Sequence, residues 1–120
     1  MISPMPESDA KRQFVNFVFY QVDPAWRRLP REERQRGKEE FCRAVESFQD
    51  SGRMKILSYS TVAMRPDCDF MLWRICYALE DLQNMSACLM TTGLGQYLST
   101  PHSLLAMTKR STYVIEHVHE

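Results

Sequence analysis

The sequence predicts one α+β domain of the ferredoxin-like type, in which two helices cover one face of a four-stranded antiparallel sheet. Two observations predict this class. Strand-like and helix-like segments follow one another in the order β-α-β-β-α-β, which is the order of that fold. The first and third strands are apolar on both alternating sets of residues, and in this fold those strands lie in the middle of the sheet. A chain of 120 residues is long enough for one such core and too short for two.

Composition divides the chain into three parts. Residues 1–10 contain two prolines and two acids without periodicity, so we expect a flexible leader. Residues 11–116 form the predicted ferredoxin-like domain. Residues 117–120 are expected to be a C-terminal tail or a truncated linker. All the predicted strands and helices therefore belong to one unit.

The first half of the domain contains one strand and one helix. Residues 13–22 are rich in aromatic residues and valine, which favours a strand. Residues 30–49 are expected to be helical, with Pro30 at the start, where its missing N–H costs nothing. Gly37 lies inside this segment, so we expect the helix to break there or to begin in earnest there. The apolar stripe of this helix follows helical spacing and contains Phe41, Val45 and Phe48.

The second half contains two strands, a helix and a last strand. The strands are expected over residues 54–64 and 69–77, and the helix over residues 79–92, where Gly93 ends it. The last strand is expected over residues 102–114. The buried stripe of the second helix is predicted to contain Leu82, Met85 and Leu89.

Both alternating sets of the central strands are apolar, so one face of the sheet must lack cover from the helices. We assign one set to the helix side: Val15, Phe17, Phe19, Met71, Trp73 and Ile75. The predicted open face, which we expect to be an interface, contains Asn16, Val18, Tyr20, Leu72, Arg74 and Cys76, flanked by Phe14 and Phe70. An apolar patch of this size predicts a cover: a second copy, another domain, or a flat apolar ligand.

Arg74 is a charged residue in a central strand, where an unpaired charge would be costly. One interpretation is an ion pair within the chain, with Asp69 or Glu80 as the acid. The other is a cavity between two sheets that holds a polar or anionic group. The sequence leaves both open.

The charge balance and the absence of known motifs exclude several function classes. Fifteen basic and fifteen acidic residues argue against a partner that is a nucleic acid or an anionic membrane. No segment is apolar for long enough to cross a membrane and no signal peptide is recognisable, so a cytoplasmic location is expected. His117 and His119 lack an evident third ligand, and no metal site is predicted. No residue is predicted to be catalytic.

Three long segments resemble one known family. They are "FVNFVFYQVDPAWRRLPREERQRGKEEF", "YSTVAMRPDCDFMLWRICYALEDLQ" and "TTGLGQYLSTPHSLLAMTKRSTYV", and together they cover nearly all of the chain after the leader. These segments closely resemble the chlorite dismutase-like family, which includes the coproheme decarboxylases. The resemblance implies haem b or coproheme as the cofactor, redox chemistry on chlorite or peroxide, and higher oligomers. It also implies subunits built from two ferredoxin-like halves packed sheet against sheet, so that this domain is half of a dimeric α+β barrel.

The resemblance extends only to the N-terminal half of such a subunit. In the family, the other half holds the haem and supplies the proximal histidine, so no catalytic residue is carried over to this chain. The end of the chain, "IEHVHE", resembles the start of the link to that second half. This suggests a fragment, a split gene product or a truncated paralogue.

Three functions follow as hypotheses. The chain is half of a haem-dependent oxidoreductase subunit that is not catalytically complete alone. Alternatively, it is a non-enzymatic packing module that self-associates through its open sheet face. The third hypothesis is a small homodimeric barrel that binds haem or another flat apolar ligand, with Arg74 facing an anionic group.

Overall fold

Residues 12–108 are described by a computed structural model, in which four antiparallel strands form one sheet in the order β2-β3-β1-β4. The predicted ferredoxin-like class is therefore confirmed, and β1 and β3 are the central strands as expected. The elements are β1 (Phe14–Val22), α1 (Arg31–Asp50), β2 (Met54–Ser60), β3 (Phe70–Cys76), α2 (Leu79–Met90) and β4 (Leu98–Met107), with short 3-10 turns at Pro24–Arg28 and Gly95–Tyr97.

Helix α1 runs without interruption through Gly37, so the predicted break at this residue is wrong. Gly37 is instead buried where α1 meets the segment after α2. A Cβ atom on Gly93 would lie 2.8 Å from the Cα of Gly37, and one on Gly37 would lie 2.9 Å from Trp26 Cη2. The Gly93 N–H donates to Glu40 Oε1 at 2.7 Å, which fixes this junction. Glycine at these two positions permits the close approach of backbones.

The core lies between the sheet and the two helices. The predicted stripe of α2 is confirmed, because Leu82, Met85 and Leu89 are all buried. The stripe of α1 is led by Phe41, whose ring packs edge-on against Tyr20 of β1 with centroids 6.4 Å apart. Tyr20 is 1% exposed and is among the largest fully buried side chains of the described residues.

Two strand boundaries differ from the prediction. Strand β2 ends at Ser60 and not at residue 64. Ala63, in the turn that follows, has a positive φ of 69°, and an extended strand does not allow this backbone conformation. Strand β4 begins at Leu98 and includes Pro101, which an edge strand tolerates because one row of its N–H groups faces away from the sheet. The predicted continuation over residues 109–114 lies outside the described residues.

Replacing Gly37 with Ala tests the junction between α1 and Gly93. We expect a loss of about 1–3 kcal/mol in the free energy of unfolding, because the new methyl group meets Trp26 and the backbone of Leu94. Urea unfolding followed by circular dichroism measures this loss. Arg43→Ala, at an exposed position of the same helix, is the matched control and should change stability by less than about 0.5 kcal/mol. A Gly37→Ala variant as stable as this control would contradict the packing argument.

Candidate functional site

The residues that the sequence analysis assigned to the uncovered side of the sheet lie instead on the side that the helices cover. Val18, Tyr20, Leu72 and Cys76 belong to the core, with exposures of 1–4%. Arg74 donates to Ser86 Oγ of α2 at 3.0 Å, so its side chain lies beneath that helix. The predicted interface of Asn16, Val18, Tyr20, Leu72, Arg74 and Cys76 is therefore wrong, and the two faces are exchanged.

The error has a physical reason. Asn16 and Arg74 looked like polar insertions on a surface, but they are directly opposite one another in the register of β1 and β3. The Asn16 Oδ1 atom accepts from Arg74 Nη2 at 2.7 Å and from Arg74 Nε at 3.0 Å. Since the two polar side chains satisfy one another, they are tolerated in the core. The sequence contained one signal for this pair, because Asn16 and Arg74 occupy matching positions in the two central strands.

Neither sequence interpretation of Arg74 is correct as stated. Asp69 accepts instead from the backbone N–H of Val22 at 2.7 Å, and Glu80 lies exposed in the first turn of α2. The bonds that Arg74 makes within residues 12–108 go to neutral groups, with the carbonyl of Leu82 as the most distant acceptor at 3.5 Å. Burial lowers the pKa of the Arg74 guanidinium and raises the pKa of the Tyr20 hydroxyl.

The face away from the helices is the candidate functional site, and we call it the open face. Its strand positions are partly buried by their neighbours or exposed, and the helices cover none of them. Phe17 and Trp73 lie at its centre, with rings 5.3 Å apart and inclined by 29°. The indole N–H of Trp73 is buried and has no hydrogen-bond acceptor among the described residues. The open face contains Val15, Phe17, Phe19, Leu57, Met71, Trp73, Ile75, Leu104 and Ala106.

A loop crosses one end of the open face. Residues 61–69 connect β2 to β3, and they place the Arg65 guanidinium 5.7 Å from the ring centre of Phe19. Asp67 accepts two hydrogen bonds from Arg65, each 2.9 Å long, and its Oδ2 lies 2.7 Å from His102 Nε2 on β4. The loop therefore extends from the edge of the sheet where β2 ends and β3 begins, across β1, to β4. Because Arg65 and then His102 bind the carboxylate, the pKa of Asp67 lies well below its usual range.

The remaining residues considered in the sequence do not join this site. All four cysteines are free: Cys68 and Cys76 are buried, Cys88 is partly buried, and Cys42 is exposed on α1. His117 and His119 lie outside the described residues. Among residues 12–108, no helix is long and apolar enough to cross a bilayer.

Within residues 12–108, the fold is a ferredoxin-like α+β sandwich in which the helices cover one face of the sheet and leave its other, apolar face uncovered. Comparison with known proteins gives the family. The model of the chlorite dismutase family matches residues 34–120, so this chain belongs to that family.

Solved structures agree with this assignment. Two variants of the chlorite dismutase of Candidatus Nitrospira defluvii superpose with TM-scores of 0.78 and 0.79 at 29% and 27% identity, over 87% and 93% of this chain. The matched part is 43% and 47% of those chains, so this chain spans less than half of their length. A protein described as a novel haem-binding protein from Thermus thermophilus shares the fold, with a TM-score of 0.70 at 22% identity over 81% of this chain and 40% of its own.

The buried pair of Asn16 and Arg74 is tested by a double-mutant cycle. Asn16→Ala should lower the free energy of unfolding by about 2–3 kcal/mol, because the guanidinium loses its main acceptor in the core. The double variant with Arg74→Met should lose less than the sum of the two single losses. Urea unfolding provides all four values. Ser103→Ala is the control, because it removes a different partner of Asn16 and leaves the Arg74 bonds intact. Additive losses would show that the pair is not coupled.

The loop contact is tested through the pKa of Asp67. Arg65→Met should raise this pKa toward its ordinary value near 4, and His102→Gln should raise it less, in the order of the two contributions. A pH titration of the side-chain carboxyl by carbon NMR measures both shifts. Since the folded pKa is lowered, the stabilisation by Asp67 is present above about pH 4 and is lost as the pH falls. An ordinary pKa for Asp67 in the unaltered chain would contradict the contact.

Proposed function

We propose that this chain is one ferredoxin-like half of a haem-dependent oxidoreductase, and that a second sheet packs on its open face. Two observations support the proposal. The chain belongs to the chlorite dismutase family, yet it spans less than half of the length of the enzyme structures that it matches. Its sheet also presents an uncovered apolar face of roughly 20 × 20 Å, from the spacings of residues and strands. A patch of that size on a soluble protein marks a surface that normally meets a partner.

The aromatic centre of the open face carries this proposal. Two packed sheets lie about 10 Å apart, and their inner side chains interdigitate. Phe17 and Trp73 project from the two central strands, so they occupy the position where the core of such a pair would form. The loop of residues 61–69 limits this surface at one end, where Arg65 already lies over Phe19.

We propose that the described residues do not form a haem site by themselves. A haem iron needs an axial side chain, most often histidine, and the macrocycle needs an apolar cleft. His102 is the histidine within residues 12–108, and its Nε2 atom is held by Asp67. The most apolar of the well-formed cavities, about 420 Å³ between α1 and β2, has no histidine in its lining. We therefore propose that the axial ligand of a haem b or coproheme comes from the second half, and no catalytic step is assigned to this chain.

The test joins this chain, in one polypeptide, to the part of the Nitrospira defluvii enzyme that it does not match. We expect the chimera to bind added hemin with a Soret band at one equivalent, and the chain alone to give none. Trp73→Glu should abolish the band in the chimera, because it places a carboxylate between the two sheets. Met90→Glu, at an exposed apolar position on α2, is the matched control and should leave the band unchanged.

Other outcomes decide against the proposal. A stoichiometric Soret band from the chain alone would place a complete haem site within it. A folded chimera without a Soret band, combined with a dimer of the chain that Trp73→Glu dissociates, would favour the non-enzymatic packing module. The cytoplasmic location remains a prediction from the sequence, and the formation of higher oligomers remains an implication of the resemblance.

A further inference from the structure

Within residues 12–108, the outer edge of β4 presents a row of backbone groups that no other strand pairs with. Alternate residues of an edge strand point their N–H and C=O groups toward the neighbouring strand and away from it. The Thr108 N–H donates to Gln13 O at 3.0 Å, and the carbonyl of Leu104 accepts from the Asn16 side chain at 3.1 Å, so even-numbered residues face β1. The backbone groups of Ser103, Leu105 and Met107 therefore face outward.

This edge lacks the features that usually prevent strands from pairing between molecules. Natural edge strands carry charged side chains, prolines or bulges, or they lie under a helix or loop. Strand β4 contains no Lys, Arg, Asp or Glu over its ten residues, and its proline, Pro101, and the register shift beside it lie at the start of the outward row, so residues 103–107 carry none of these features. The opposite edge is different, because β2 exposes Lys55. Of the two edges, β4 is therefore the one open to another strand.

Apolar side chains are exposed on both faces of β4 at the same place. Leu105 and Met107 point to the helix side and are 55% and 51% exposed, because α1 packs on β2 and α2 packs on β3. Leu104 points to the open face and is 61% exposed. An added strand would cover all three residues at once, whereas a sheet packed on the open face would cover Leu104 and leave the other two.

We propose that the occupant of this edge is a second copy of the chain, with the two β4 strands antiparallel around a two-fold axis at Leu105. In this register, Ser103 pairs with Met107 of the partner subunit and Leu105 pairs with Leu105 of the partner subunit. The two-fold axis repeats the first pair, so there are three hydrogen-bonded pairs. Each pair exchanges two N–H···O=C bonds, and the ladder contains six. Pro101 lies outside the ladder and costs no donor.

The side chains fit the same register. Leu105 meets its own symmetry mate on the helix side, and Leu104 meets Ala106 of the partner subunit on the other face. Both contacts join apolar side chains directly opposite one another. Tight hairpin turns favour Gly, Pro, Asn and Asp, and the sequence of residues 109–120 contains none of these.

The experiment measures self-association of the full chain by sedimentation equilibrium. We expect a concentration-dependent dimer, and a dissociation constant at least tenfold higher for Leu105→Lys, because the pairing would place two ammonium groups opposite each other. Leu105→Glu should have the same effect. An equimolar mixture of the two variants should recover the dimer, because opposite charges then face each other. Trp73→Glu should leave this dimer intact, which separates it from packing through the open face.

Amide hydrogen exchange gives a second readout that does not depend on any variant. The N–H groups of Ser103, Leu105 and Met107 should become protected as the protein concentration rises. Those of Leu104 and Ala106 should be protected at all concentrations, because they bond to β1. A monomer at all concentrations, a dimer unaffected by Leu105→Lys, or odd-numbered amides that stay unprotected in the dimer would each overturn the proposal.

Discussion

Both faces of the sheet carry apolar side chains, but α1 and α2 pack on only one of them. This constraint determines most of what is distinctive about the molecule. The helix side is a finished core in which Tyr20, Met85 and Leu89 are almost fully buried. The other side has Phe17 and Trp73 at its centre and no cover, within the described residues, beyond the loop that places Arg65 over Phe19. Because burial of apolar area is the main favourable term in folding and association, the uncovered side is where partners are expected.

One polar pair lies in the core on the helix side of the sheet. Arg74 and Asn16 occupy matching positions of the central strands, and the guanidinium reaches α2 through Ser86. The pair is satisfied by neutral groups, so burial lowers the pKa of Arg74 without a carboxylate to compensate. Neutral acceptors such as these can hold the Arg74 charge in the core only if each donor of the guanidinium has an acceptor. The pair thus links the two central strands to α2.

Membership of the chlorite dismutase family gives the open face a context. The solved enzymes are more than twice as long as the part that this chain matches, so a surface that is exposed here has additional chain available to cover it there. The edge of β4 is a separate surface of the same sheet. A sheet packed face to face covers Trp73 and Leu104, whereas a strand added at the edge covers Leu105 and Met107. The two modes of association share Leu104 and otherwise use different residues.

The sequence by itself determined the element order, the central positions of β1 and β3, the buried stripes of both helices and the family. These features depend on local periodicity and on residue spacing, which are properties of a segment alone. The tertiary structure decided which face the helices cover, why Gly37 lies in the middle of α1, and what surrounds Arg74. Each of these depends on a contact between distant segments: Arg74 with Ser86, Gly37 with Gly93, and Asn16 with Arg74. A strand with two apolar faces carries the same alternation whichever way it is turned, so only the packing of the helices could select one.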